Sequence, residues 1–390
     1  MGRDKRYDHY ESYDYLDDDA YEQFDLPDVH AGFDPYEVPL SDDEEARLNT
    51  VLEDAVISLH DHPFYFPEHL AEDIQDYIRA GRARTAFRAL SETPLDAVFD
   101  MHLDGLSHIH SHHGWKWSEI VHDVTMRAAD IQHSDYGIRA SGIEDIERAR
   151  ENGQLAFVPA LESAAMIENE LDRLDQLYGM GIRSIGVTYD ASNSLGAGKG
   201  GVYEIDGGLT TFGVDAIARM NDLGLAVSTS HASKQTTLDV CDVTDEPIFD
   251  THALAQGAGM GKRGTSDEEL EAIAATGGVI GLLSSAHLPS IDEYMEHFEY
   301  LVDLVGIDHV AFGPDVLYGD HTELLRVLAA DQGVELPDST LQTEYVRGLE
   351  NPTEAWQNIP RWLVKEGYSD RDMEKVLGEN ILRVLNETWV

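Results

Sequence analysis

Between residues 225 and 252 the chain reads LAVSTSHASKQTTLDVCDVTDEPIFDTH, two short apolar runs flanking an amphipathic segment of helical length. The runs, 225–229 and 247–249, are each closed by a polar cluster that ends in a histidine. Apolar runs joined through a helix read as parallel strands of a βαβ unit, since strands covered on both faces need no polar alternation. The pattern predicts His231 and His252 at the carboxyl ends of neighbouring strands. In a barrel of alternating strands and helices, that end carries the chemistry. Neutral imidazole is the commonest metal ligand, so a pair in corresponding positions is a metal candidate. One such histidine alone would read as a satisfied core residue; the repetition argues against that.

The same alternation runs along the chain. Ser41-Asp42-Asp43-Glu44 is a capping-box pattern ahead of Leu48, Val51, Leu52 and Ala55 at helical spacing. It leads into a strand over 55–59, followed by His60-Asp61-His62-Pro63. Side chains two apart share a strand face, so an H-x-H can send both imidazoles the same way. Further strands are predicted over 95–100, 155–159, 182–188, 279–283 and 308–312, and helices over 68–80, 143–152, 166–178, 212–223, 270–275 and 292–305. Eight strands alternating with helices are the arithmetic of an α/β fold, the (β/α)8 TIM barrel. Residues 1–42 form an acidic arm, either poorly ordered or docked on the surface; 43–390 form the barrel domain, with an insertion at 318–355 and a closing helical region over 362–385.

Six polar groups then fall at strand ends. His60 and His62 end the first strand, Glu162 the third, His231 the fifth, His252 the sixth and Asp315 the eighth. Buried polar groups need partners, so six at one rim are hard to explain as packing. A carboxylate at Glu162 can bridge two cations. The loop MHLDGLSHIHSHHGWKW carries His102, Asp104, His108, His110, His112 and His113, and reads as a structural or substrate-contacting segment. His102-Leu103-Asp104 competes with His60-x-His62 as the first motif. It would leave 60 residues before Glu162, against 102 counted from His60, and only the longer span has room for two βα units. GAGKGG around Lys199 is weak as a phosphate loop, with no Ser or Thr after the lysine, and reads as a flexible loop beside the site.

Charge excludes some partners. With 75 Asp+Glu against 27 Lys+Arg the formal charge is −48, a field that repels nucleic acid and anionic membrane surfaces. The charge is spread over the whole chain, as expected of a halophilic protein in high internal salt, where screening makes the repulsion tolerable. Cys241 is the single cysteine, which excludes an internal disulfide framework and any Cys-rich zinc site. The absence of an apolar run of membrane length, or of a basic amino terminus followed by an apolar stretch, gives the expectation of a soluble, cytoplasmic protein.

From about residue 43 onward the sequence resembles the metal-dependent membrane (renal) dipeptidases, a branch of the amidohydrolase-like barrels. The resemblance is carried by LAVSTSHAS with PIFDTHALA, KRGTSDEELEAIAATGGVIG, EYLVDLVGIDHVAFGPD and GENILRVL. It implies two divalent cations, zinc by type: His60 and His62 hold one, His231 and His252 the other, and Glu162 bridges them. Arg263 would pair with a substrate carboxylate, and Asp315 would handle the proton of the attacking water. The substrate would be a small peptide and the assembly a homodimer. Two positions depart from the family pattern: His62 stands where an aspartate is usual, and Tyr189 where a substrate-contacting histidine is usual. Those departures keep open a barrel hydrolase acting on another amide, a lactam or an N-acyl amino acid. A non-catalytic metal-binding scaffold is the reading from another class, against which Glu162, Arg263 and Asp315 together argue.

Overall fold

The computed structural model describes residues 5–29, 33–102, 116–200, 205–260, 264–285, 287–331 and 346–389. Among these, eight parallel strands follow one another around a barrel: Ile57–Tyr65, Ala97–His102, Leu155–Leu161, Ser184–Gly186, Ala226–Ser228, Phe249–Ala253, Val279–Leu282, and an eighth in two pieces, Val310–Phe312 and Leu317–Tyr318. The first piece of the eighth pairs with the seventh strand and the second piece with the first strand. Between the pieces, Asp315 N donates to His60 O at 3.0 Å and His62 N donates to Val316 O at 3.1 Å, which closes the cylinder. The chain is a (β/α)8 barrel. Two short strands, Arg84–Thr85 and Gly137–Arg139, pair outside the main path.

The helices cover the outside for the reasons visible in their sequences. The helix Asp42–Val51 starts with Ser41 and Glu44 capping each other's backbone N–H groups, and Asp267–Ala275 starts with Ser266 and Glu269 doing the same. Leu70–Ala80, Ile143–Asn152 and Thr211–Leu223 each end at a glycine in the left-handed region. The barrel interior is filled by Ile57, Leu59, Phe99, Val158, Phe249 and Val279, with Ile381, Val384 and Leu385 of the helix Asn380–Thr388 in the same cluster. No helix among the described residues is long and apolar enough to cross a membrane.

Two strands depart from simple alternation, both at candidate ligands. Along the first strand the register with the second moves from Ser58↔Val98 to Asp61↔Asp100, three residues against two. Along the sixth it moves from Asp250↔Ile280 to Ala253↔Leu282, again three against two. Each bulge inserts one residue and re-aims the side chains that follow it. Leu59 therefore faces the interior core, while His60 and His62 still turn toward the mouth. Asp61 faces the other way and accepts from Ser58 Oγ at 2.6 Å, Trp356 Nε1 at 2.7 Å and Val316 N at 3.1 Å.

Other elements differ from the periodicity. The first strand runs on through the histidines to Tyr65 instead of stopping at 59, because Phe64 and Phe66 enter a further apolar cluster with Leu70, Ile74, Tyr77 and Leu317. The helix predicted over 166–178 is split into a short turn, Ala165–Ile167, and a helix, Asp172–Gly179. Glu168 between them sits at φ 53°, which no helix accommodates, and Arg173 braces the break through Glu168 Oε2 at 3.2 Å and Met166 O at 2.9 Å. The closing helical region begins earlier than expected, with Pro352–Lys365. The described part of the acidic arm is docked: Asp130 accepts from Tyr10 Oη, Ser12 Oγ and Tyr13 N at 2.7, 2.5 and 2.7 Å. The guanidinium of Arg84 lies 4.5 Å from the Tyr21 ring centre and donates to its hydroxyl at 3.1 Å.

Candidate metal centre

At the carboxyl rim the structure brings together six of the residues singled out by sequence. His60, His62, Glu162 and Asp315 offer ligand atoms all within 4.8 Å of one another, and Glu162, His231 and His252 form a second such group. Glu162 belongs to both. Its Oε1 is 3.2 Å from His60 Nε2 and 3.9 Å from His62 Nε2, while Asp315 Oδ1 is 3.4 Å and 3.0 Å from the same two nitrogens. His60, His62, Glu162 and His252 are buried, whereas the side chain of Asp315 keeps 23% of its surface in solvent.

His231 and Asp315 are held at φ 62° and 58°, in the left-handed region that non-glycine residues rarely occupy. Strain of this kind costs on the order of 1–3 kcal/mol per residue and is concentrated at functional sites. Glycines set the remaining geometry. A methyl group on Gly186 would lie 2.0 Å from Glu162 O, so the fourth strand packs directly on the backbone that presents Glu162. A methyl on Gly198 would lie 2.2 Å from Asp190 O. The glycine-rich loop here is laid against the His231 segment, with Lys199 N donating to His231 O at 2.7 Å and Lys199 Nζ to Thr265 Oγ1 at 2.9 Å.

The donor set fits a cation. His252 Nε2 and His231 Nε2 face each other at 2.9 Å, while the Nδ1 atoms of both rings are engaged elsewhere, His231 with Asp190 Oδ1 at 2.9 Å and His252 with Thr251 Oγ1 at 3.2 Å. If each Nδ1 carries the hydrogen, two nitrogen lone pairs converge on one point, an arrangement stabilised by a cation and by little else. His60 Nε2 is likewise buried and faces the carboxylate oxygens of Glu162 and Asp315 at 3.2 and 3.4 Å. Electrostatics follow the same plan. Burial lowers His60, but the Asp315 and Glu162 carboxylates outweigh it and push the ring up to about 9. Burial and the neighbouring imidazoles hold His252 well below the usual histidine range. Burial opposes the charge on Asp315, and His60 and His252 reverse this, holding the carboxyl well below its usual range.

The other predicted residues differ in where they fall. Tyr189 lies against His231, with ring centres 4.3 Å apart and planes tilted by 32°. His102 pairs through Nδ1 with Asp123 on the helix Trp117–His133, and Asp104 and Arg263 lie outside the described residues. Sequence reasoning missed Asp190 and Thr251, the partners that orient the ligand rings. Asp190 carried the available signal, a carboxylate in the polar cluster closing the fourth strand.

Comparison with known proteins places the chain in a family. Residues 122–324 match the model of the membrane dipeptidase family, Peptidase family M19. A Klebsiella pneumoniae protein of the pqqA 5′ region is 29% identical over 259 residues, covering 63% of this chain and 86% of that one. The dipeptidase verJ of Clonostachys rogersoniana is 25% identical over 273 residues, 69% of this chain and 63% of that one. Among solved structures, an amidohydrolase from Pseudomonas aeruginosa superposes with a TM-score of 0.72 at 24% identity, covering 88% of this chain and 98% of the other. A metallo peptidase from Rhodobacter sphaeroides, liganded with a phosphinate mimic of the dipeptide L-Ala-D-Ala, superposes at 0.62 with 19% identity, covering 86% and 99%. The chain belongs to the membrane dipeptidase family, Peptidase family M19, and is a metal-dependent hydrolase of the dipeptidase type.

Proposed function

We propose that this protein hydrolyses short peptides carrying a free carboxylate at a centre built for two zinc ions, His60 and His62 holding one, His231 and His252 the other, and Glu162 both. The observation that carries this reading is the single Glu162 carboxylate shared by two histidine groups, each with its ligand atoms inside 4.8 Å. When bound, such a pair of cations supplies an acidified water and polarises the scissile carbonyl. The chain's own residues do the rest. Asp315, partly open to solvent and ionised, is placed to take the water proton and return it to the leaving amine. Arg263 is assigned to the substrate carboxylate by its family position, a bidentate contact that favours short substrates. Tyr189 offers a hydroxyl donor but no imidazolium charge, so its contact with substrate is a neutral one.

A dipeptide substrate is supported by the Rhodobacter sphaeroides metallo peptidase, which was solved with a phosphinate mimic of L-Ala-D-Ala. We take residues 43–390 as one hydrolase domain and the assembly as a homodimer. The test is hydrolysis of dipeptides of both stereochemistries by purified protein loaded with zinc, cobalt or manganese, beside Asp315→Asn and a chelated sample. Turnover that survives exhaustive chelation, or an Asp315→Asn variant as fast as wild type, overturns the reading.

A further inference from the structure

Behind the ligand rings lies a chain of hydroxyls that the reaction above does not use. Thr251 Oγ1 is 3.1 Å from His60 Nδ1, 3.2 Å from His252 Nδ1 and 3.1 Å from Ser230 Oγ. Ser230 Oγ donates to Asp250 Oδ1 at 2.6 Å. Thr265 Oγ1 lies 3.4 Å from Asp250 Oδ2 and itself receives Lys199 Nζ at 2.9 Å. Thr251, Ser230, Asp250 and Thr265 are all at most 3% exposed, so bulk solvent does not reach these bonds.

Hydrogen counting gives the chain a direction. A hydroxyl has one hydrogen to donate and two lone pairs to accept, and a carboxylate only accepts. Ser230 gives its hydrogen to Asp250 and can only accept elsewhere; His252 N at 3.3 Å meets one lone pair, and Thr251 Oγ1 at 3.1 Å, nearer than the competing Ser228 Oγ at 3.2 Å, meets the other, which makes Thr251 the donor. Thr251, its hydrogen spent on Ser230, has only lone pairs left for the two imidazoles. Each Nδ1 bonds to this oxygen by carrying a hydrogen, at 3.1 and 3.2 Å, with Ser228 Oγ at 3.4 Å the more distant donor to it, and both Nε2 lone pairs then point into the metal centre. Lys199, able only to donate to Thr265, turns that hydroxyl toward the other oxygen of Asp250 in the same sense. The bulge of the sixth strand brings this about by adding a residue at Thr251 and His252.

We propose that Thr251 is a positioning residue for both halves of the metal centre at once, fixing the tautomers of His60 and His252 through a relay that ends on the buried carboxylate of Asp250. It rests on the two-cation reading for its affinity arm, while its tautomer arm needs no metal. A partner that orients a ligand ring is typically worth about 10–100-fold in metal affinity. Here one hydroxyl touches a ring from each half, so a single substitution weakens both.

The test uses the full chain labelled with 15N-histidine, metal-free at a pH of about 10 where both rings are neutral, and zinc binding by competition with a chromophoric chelator. Expected for wild type is the Nδ1–H tautomer at His60 and His252. Thr251→Val should scramble both tautomers and lower zinc affinity about 10–100-fold at both half-sites, and Thr251→Ser should restore both properties. An Nε2–H tautomer at either wild-type ring overturns the proposal. So does a Thr251→Val variant that weakens one half-site alone or neither, or a Thr251→Ser variant as impaired as Thr251→Val. A chain with the expected tautomers and Thr251 dependence that cleaves no dipeptide sustains the relay and overturns the dipeptidase reading instead.

Discussion

Replacing Gly186 with alanine tests whether the fourth strand sets the position of Glu162. The added methyl would lie 2.0 Å from Glu162 O and 2.7 Å from Glu162 C, both backbone atoms that cannot swing aside. An ordinary carbon to carbonyl-oxygen contact is about 3.3 Å or more, so the two backbones must separate by roughly 1 Å. Overpacking a core in this way costs about 1–3 kcal/mol. The functional loss should be larger in proportion, since a displacement of about 1 Å at a reacting centre can cost on the order of 100-fold in rate. Because Glu162 belongs to both histidine groups, the shift disturbs both together. The assay is kcat/KM for a dipeptide with saturating metal, beside denaturant unfolding. Gly179→Ala is the control, as its methyl would meet nothing within 4 Å. A Gly186→Ala enzyme within threefold of wild type, with an unchanged unfolding midpoint, would refute this account of how Glu162 is held.

Glu162→Gln removes the charge common to both groups and should lower kcat/KM by about 100-fold or more while reducing bound metal below two equivalents; full stoichiometry by elemental analysis would contradict it. Zinc affinity should rise with pH up to about 9, because His60 is raised to about 9 and its proton must leave before Nε2 can bind a cation. Calorimetry giving one affinity from pH 6 to 9 would contradict that sign. Glu350 is raised to about 9 by burial and by Glu354, so its native form holds a proton that the unfolded chain gives up near 4.5, and stability falls as pH climbs through this window. Glu350→Gln mimics the protonated form and should stabilise the protein by on the order of 1 kcal/mol at pH 8 and not at pH 4, as read by unfolding curves. The −48 charge predicts a melting temperature that climbs with added KCl, and a flat salt response would remove the halophilic reading.

Much of the architecture was legible because parallel strands write themselves as short apolar runs. Residues 225–252 displayed two of them with their helix, and strand-end arithmetic placed His60, Glu162, His231, His252 and Asp315 on one rim. The bulges were not legible. Period-two reasoning gives His60 and His62 a common face but cannot say that Leu59 and His60 both turn inward, since an inserted residue leaves no mark in hydrophobicity. The break at Glu168 escaped for a related reason, as Ile167, Leu171 and Leu174 keep helical spacing across a residue whose backbone is not helical. Thr251 escaped because a threonine inside a strand ordinarily reports nothing beyond strand propensity.

The eighth strand is divided at Gly313-Pro314, and its second half joins the first strand through the backbones of His60 and His62. Asp315 takes its place only at this suture, where the last barrel strand meets the earliest one. Assembly of the rim is thereby tied to the most non-local strand pairing among the described residues, and a chain lacking that join would carry its rim histidines without Asp315. Loosening of this one junction should silence the protein well before the rest of the barrel unravels.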